Sequence, residues 1–138
     1  MVQPEVIRRR LQKLDTFLDY LERAQTYSFE EFRSDIEVYS AVERNLQLAI
    51  EALSDMASHV VVDEDFGAFE RARDLPGLFE ENGFIEEQDR ETWEEMISFR
   101  NVLVHEYVDI ERDRVYEVLQ HHLDDIRHLS HVFDRFLD

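Results

Sequence analysis

Apolar residues recur at helical spacing along most of the chain, and their phase divides it into five segments. From about Glu5 to Gln25, Val6, Ile7, Leu11, Leu14, Phe17, Leu18 and Leu21 form one stripe, with Pro4 just ahead, where a helix tolerates a missing N–H. Ser28 followed three residues later by Glu31 reads as a capping box. It predicts a long second helix with Phe32, Ile36, Tyr39, Val42, Leu46, Ile50, Leu53 and Met56 turned inward, the central helix of the core. Val61 to Gly67, carrying Asp63, Glu64 and Asp65, reads as a solvated connection, after which Pro76 and Gly83 bracket a short helix around Leu78 and Phe79. A fourth helix is expected from near Glu87, its period kept by Trp93, Met96, Ile97 and Leu103. Glu87, Asp89, Glu91, Glu94 and Glu95 suit its positive end. Tyr107 to Ile110 leads out of it. A last helix from about Asp113 turns Val115, Val118, Leu119, Leu123, Ile126, Leu129, Val132, Phe133 and Phe136 inward. Five helices, four of them substantial, predict an all-α antiparallel bundle forming a single domain over residues 1–138, with no internal repeat or low-complexity linker.

Composition supports that picture and narrows the chemistry. Three glycines and two prolines leave little material for turns, and 43% apolar residues suffice for a core despite 35% charged ones. The absence of cysteine removes disulfides, thiol nucleophiles and thiolate metal sites. Arg8, Arg9 and Arg10 are followed by no apolar h-region, and no run approaches membrane-spanning length, so a cytoplasmic protein that does not enter a membrane is expected. A net charge of -18 disfavours general electrostatic attraction to nucleic acid, so any RNA contact must be local and no DNA binding is expected. Lys13 is the only lysine. Its isolation among so many Asp and Glu residues reads as a solvation adaptation to high salt, where like-charge repulsion is screened within a few ångströms.

Candidate chemistry concentrates in Arg100-Asn101-Val102-Leu103-Val104-His105-Glu106-Tyr107. Cleavage of RNA without a metal needs a group to move the 2'-hydroxyl proton and a cation to stabilise charge on the scissile phosphate, roles that fit His105 and Arg100. The spacing alone carries little weight: with 14 Arg and 6 His, about 0.6 Arg-X4-His pairs arise by chance. On an ideal helix Arg100 and Tyr107 differ by about 20° in direction, whereas Arg100 and His105 differ by about 140°. Either the helix loosens before His105, or His105 faces a site completed by another copy of the chain. One histidine moves one proton at a time, and a twofold dimer with two Arg100–His105 pairs would supply both a base and an acid. The residues alone favour the plainer roles, a salt-bridged arginine and a histidine that serves only the helix dipole.

Arg100-X4-His105-X-Tyr107 resembles the signature of HEPN-domain toxins of the HepT type, which are partnered in bacteria and archaea with a minimal nucleotidyltransferase (MNT) antitoxin. Tyr39-Ser-Ala-Val-Glu-Arg-Asn-Leu-Gln-Leu-Ala-Ile-Glu51, the Gly83-Phe-Ile85 turn, Met96 and Val115-Tyr116 look like the family at matching positions, so the resemblance covers essentially the whole chain. It implies a homodimeric all-α bundle that cleaves RNA endonucleolytically at a dimer-interface cleft, with no metal and no cofactor. By position it implies Arg100 and His105 as the catalytic pair and Asn101 as a supporting polar residue. Tyr107 would be the phenol that the MNT partner modifies with AMP, neutralising the toxin. The competing reading is a non-catalytic helical partner, or a nucleotide-binding module, of the nucleotidyltransferase.

His121, Asp125 and His128 fall at i, i+4 and i+7, a spacing that can hold a metal but more often marks a solvated stripe, and no metal site is expected. His122, His131 and His59 lack a matching partner set. Arg8 to Arg10 read as a solvated terminal face, while Arg112 and Arg114 stand closer to the motif, where phosphate contact, capping and salt bridging all remain open.

Overall fold

A computed structural model describes residues 1–104 and 112–137, and among these the regular structure is entirely helical. Seven α-helices follow in order: α1 (Pro4–Ala24), α2 (Phe29–Ser34), α3 (Ile36–Asp63), α4 (Leu75–Glu81), α5 (Glu87–Val104), α6 (Arg112–His121) and α7 (Leu123–His131). Short 3₁₀ turns occupy Ala72–Asp74 and Val132–Phe136. The expected all-α bundle is therefore present. α3 lies at its centre, packed along α1 on one side and α5 on the other. Its buried face carries Val42, Leu46, Ala49, Ile50, Leu53, Met56 and Val60 at helical spacing. No helix among the described residues is long and apolar enough to cross a membrane.

Helix termini form where local chemistry satisfies the free backbone groups. The Ser28 hydroxyl accepts from the Glu31 N–H at 3.1 Å, and the Glu31 carboxylate accepts from the Ser28 N–H at 2.9 Å, completing the capping box. The helix it opens is short, however, and does not run on into the core. Asp35 adopts an extended backbone and its carboxylate caps a new helix by accepting from the Glu37 N–H at 2.9 Å. This break places Ile36 at the first turn of α3, where it is 65% exposed instead of inward as its spacing predicts. At its far end α3 runs through Val60 and Val61, both buried, so the connection begins at Glu64 and not at Val61. Asp65 closes the helix in the left-handed region (φ 54°), and the Phe66 N–H returns to the Val61 carbonyl at 3.0 Å.

Gly83 fulfils the expected stop for α4. Its φ of 81° lets its own N–H reach the Glu80 carbonyl and the Phe84 N–H reach the Phe79 carbonyl, both at 3.0 Å. The wrap brings the Phe84 ring to 6.1 Å from that of Phe79. Phe79 also meets Trp93 at 5.4 Å and Phe133 at 5.6 Å, so one aromatic cluster joins α4, α5 and the C-terminal 3₁₀ turn. Arg90, bonded to Glu80 and Glu94, adds a polar tie between α4 and α5.

The predicted last helix is interrupted at His122, whose backbone leaves the helical region (φ -124°). Both halves keep the same apolar face, with Val115 and Leu119 buried before the break and Leu123, Ile126 and Leu129 after it. The hydrophobic period is therefore continuous where the helix is not.

Candidate active site

Arg100 lies one turn before the end of α5, whose inner face is anchored by the buried Trp93, Ile97 and Phe99. That anchoring turns the Arg100 side chain toward Glu51 of α3, one residue beyond the buried Ile50. Arg100 donates from Nε to Glu51 Oε1 at 2.9 Å and from Nη2 to the same oxygen, a two-donor grip of the kind that fixes a guanidinium plane. Its Nη1 donates to Asn101 Oδ1 at 3.2 Å. Gln47, one helical turn before Glu51, donates to Glu51 Oε1 at 3.0 Å. The side chains of Arg100 and Glu51 remain 32% and 29% exposed, enough for a ligand to reach the pair.

Burial tends to raise the Glu51 carboxyl. The hydrogen bonds from Gln47 and Arg100, with the charges of Arg100 and Arg44, outweigh it and hold its pKa below the ordinary carboxylate range. The ion pair therefore persists at neutral pH and is lost as acid protonates Glu51. It borders a cleft of about 350 Å³ between α3 (Glu51, Ser54, Asp55) and α5 (Ile97, Arg100, Asn101). Of the sequence-derived site residues, Arg100 and Asn101 are thus adjacent at one cleft. His105 and Tyr107 lie outside the described residues, as does the rest of the Tyr107–Ile110 segment.

Glu51 had no role in the sequence reading. The available signal was its place at the end of the string Tyr39 to Glu51, but its partner is 49 residues away and only the packing of α3 on α5 reveals it. A second cleft of about 300 Å³ opens between α5, α6 and α7, with Met96, Phe99, Arg114, His122 and Asp125 on its walls. There the Arg114 guanidinium lies 5.4 Å from the Phe99 ring centroid, while Arg112 covers the Tyr39 ring at 4.0 Å. Both arginines thus rest on aromatic faces of the core.

The His121, Asp125 and His128 spacing presumes one continuous helix, and the break at His122 separates His121 from the other two. Asp125 bonds the His122 ring at 3.0 Å and His128 meets Asp89 at 3.2 Å. No group of three His, Asp or Glu among the described residues is placed to hold a metal. At the N-terminus Arg8 pairs with Glu5 at 2.8 Å, Arg9 approaches Glu5 at 3.6 Å, and Arg10 meets the His59 ring at 2.9 Å. That basic run is largely occupied within the protein.

A family model described as Ribonuclease HepT-like matches residues 7–132, nearly the whole bundle, including Arg100, His105 and Tyr107. The chain belongs to the HepT-like ribonuclease family. It is 32% identical over 108 residues to the "mRNA nuclease HepT" of Shewanella oneidensis, covering 78% of this chain and 76% of that one. It is 27% identical over 119 residues to the "tRNA nuclease HepT" of Aphanizomenon flos-aquae, covering 83% and 78%. Its fold also superposes on a solved structure described as the tri-AMPylated Shewanella oneidensis HEPN toxin in complex with MNT antitoxin. The TM-score is 0.86 at 25% identity, covering 94% of this chain and 97% of that one. The HepT-type resemblance and the RNA-cleaving class read from the sequence are met by this membership.

Proposed function

We propose that this HepT-like chain is the cytoplasmic toxin ribonuclease of a toxin–antitoxin pair, cutting RNA at a cleft shared by two copies of itself. The observation that carries the reading is the family match across residues 7–132, with Arg100, five residues before His105 in the sequence, held by Glu51 beside a cleft. In the proposed reaction, His105 of one copy takes the proton from a ribose 2'-hydroxyl, whose oxygen attacks the adjacent phosphorus. The P–O5' bond breaks, and a second histidine, His105 of the partner subunit, protonates the departing 5'-oxygen. The products are a 2',3'-cyclic phosphate and a 5'-hydroxyl end. Arg100 stabilises the charge that grows on the non-bridging phosphate oxygens, and Asn101 supports its guanidinium.

The partner is an MNT-type nucleotidyltransferase antitoxin that attaches AMP to the Tyr107 hydroxyl. The AMP-modified state of the Shewanella toxin supports this regulation. An added nucleotide is bulky and anionic, so two residues from His105 it would fill the cleft and repel RNA. Expression of the chain alone should arrest growth, with His105→Ala abolishing the arrest. Arrest that survives this substitution would favour the non-catalytic reading. After co-expression with an MNT-type nucleotidyltransferase, mass spectrometry should find AMP on Tyr107; AMP confined to other residues would refute that assignment.

A further inference from the structure

We infer that Glu51 is the positioning residue of Arg100, fixing the guanidinium plane so that its remaining N–H groups face the scissile phosphate. This inference rests on Arg100 acting at that phosphate. An arginine side chain offers five N–H donors. Two of them meet Glu51 Oε1 and one meets Asn101, so among the described residues two stay available on the fork. Glu51 is itself restrained by Gln47, which donates to the same Oε1, so a polar chain runs from Gln47 through Glu51 and Arg100 to Asn101. Each of its links is at least partly buried except the last. A long flexible cation at the end of a helix would otherwise sample many rotamers, and catalysis depends on holding the reacting geometry within a fraction of an ångström.

A carboxylate beside a phosphate site also carries a cost, because it repels the substrate. Its placement limits that cost: the carboxylate oxygen engages the Nε and Nη2 edge of the guanidinium, leaving the Nη1 side, next to Asn101, for phosphate. Glu51 therefore orients Arg100 without occupying the face that phosphate would use.

Two measurements on the full-length protein test this. In steady-state cleavage of RNA, Glu51→Ala should lower kcat about tenfold to a hundredfold with KM changed less than about threefold. Glu51→Gln, which keeps an acceptor oxygen, should recover part of the loss. Glu51→Ala combined with Arg100→Ala should be no slower than Arg100→Ala alone. Wild-type kcat in folded Glu51→Ala, or fully additive losses in the double variant, would overturn the inference. Separately, the Arg100 Nε–H resonance should be sharp in the wild type and broadened by solvent exchange in Glu51→Ala. An unchanged resonance would overturn the positioning role whatever the kinetics. If Arg100→Ala itself cleaves at the wild-type rate, the catalytic assignment of Arg100 fails, and the resonance still reports whether Glu51 holds the guanidinium. Should Glu51→Ala fail to fold, Glu51→Gln and Glu51→Asp carry the same comparisons.

Discussion

Truncation of Phe79 to alanine is expected to be among the most damaging single changes in this bundle, because one ring joins three parts of the core. Phe79 is fully buried, with its ring centroid 5.8 Å from Phe66, 5.4 Å from Trp93 and 5.6 Å from Phe133. Removing a buried phenyl group costs about 3–5 kcal/mol, combining lost transfer energy with the cavity left behind. The surrounding aromatic side chains, Phe84 among them, cannot collapse into that cavity without leaving their own contacts, which favours the upper part of the range. For 138 residues the unfolding entropy is about 0.3 kcal/mol per kelvin, so Tm should fall by about 10–17 °C. Thermal unfolding followed by far-ultraviolet circular dichroism measures it. Val62→Ser, at a side chain 67% exposed, serves as control and should change stability by less than about 0.5 kcal/mol. A loss below about 1 kcal/mol for Phe79→Ala would show that the aromatic cluster does not hold α4 against α5.

Asp65→Gly should stabilise the protein by about 0.5–1 kcal/mol in urea denaturation, since Asp65 occupies the left-handed region at φ 54° and glycine does so freely. Glu43 is raised above its ordinary pKa by burial, only partly offset by the charge of Arg112. A carboxyl raised in the folded state loses stability as pH rises through its pKa, so Glu43→Gln should raise Tm at pH 7 and show a shrinking advantage as the solution is acidified. For the ribonuclease reading, the long-range repulsion implied by a charge of -18 predicts that kcat/KM for RNA cleavage rises between about 0.1 M and about 1 M KCl. A steep fall over that range would mean that many phosphate contacts dominate binding instead.

Helix boundaries were legible where a residue signals them by its own chemistry. Pro4, the Ser28–Glu31 capping box and Gly83 all mark termini that the structure contains. The breaks at Asp35 and His122 were hidden because the apolar period passes through both, and periodicity reports which face is buried and not whether the backbone is continuous. Ile36 shows the consequence: a residue in phase with the stripe becomes a solvent-facing first-turn residue once Asp35 caps a separate helix. Arg100 and Asn101 were found from spacing and resemblance, whereas Glu51 was not. The grip of Glu51 on Arg100 depends on which face of α3 meets α5, and local sequence does not encode that contact.

The central claim is that Arg100 and His105 cleave RNA, and the most direct measurement is incubation of purified protein with RNA in the presence of chelator, beside Arg100→Ala and His105→Ala. The wild type should yield fragments ending in 2',3'-cyclic phosphate, and both variants should lose cleavage. Equal cleavage by all three proteins would contradict it.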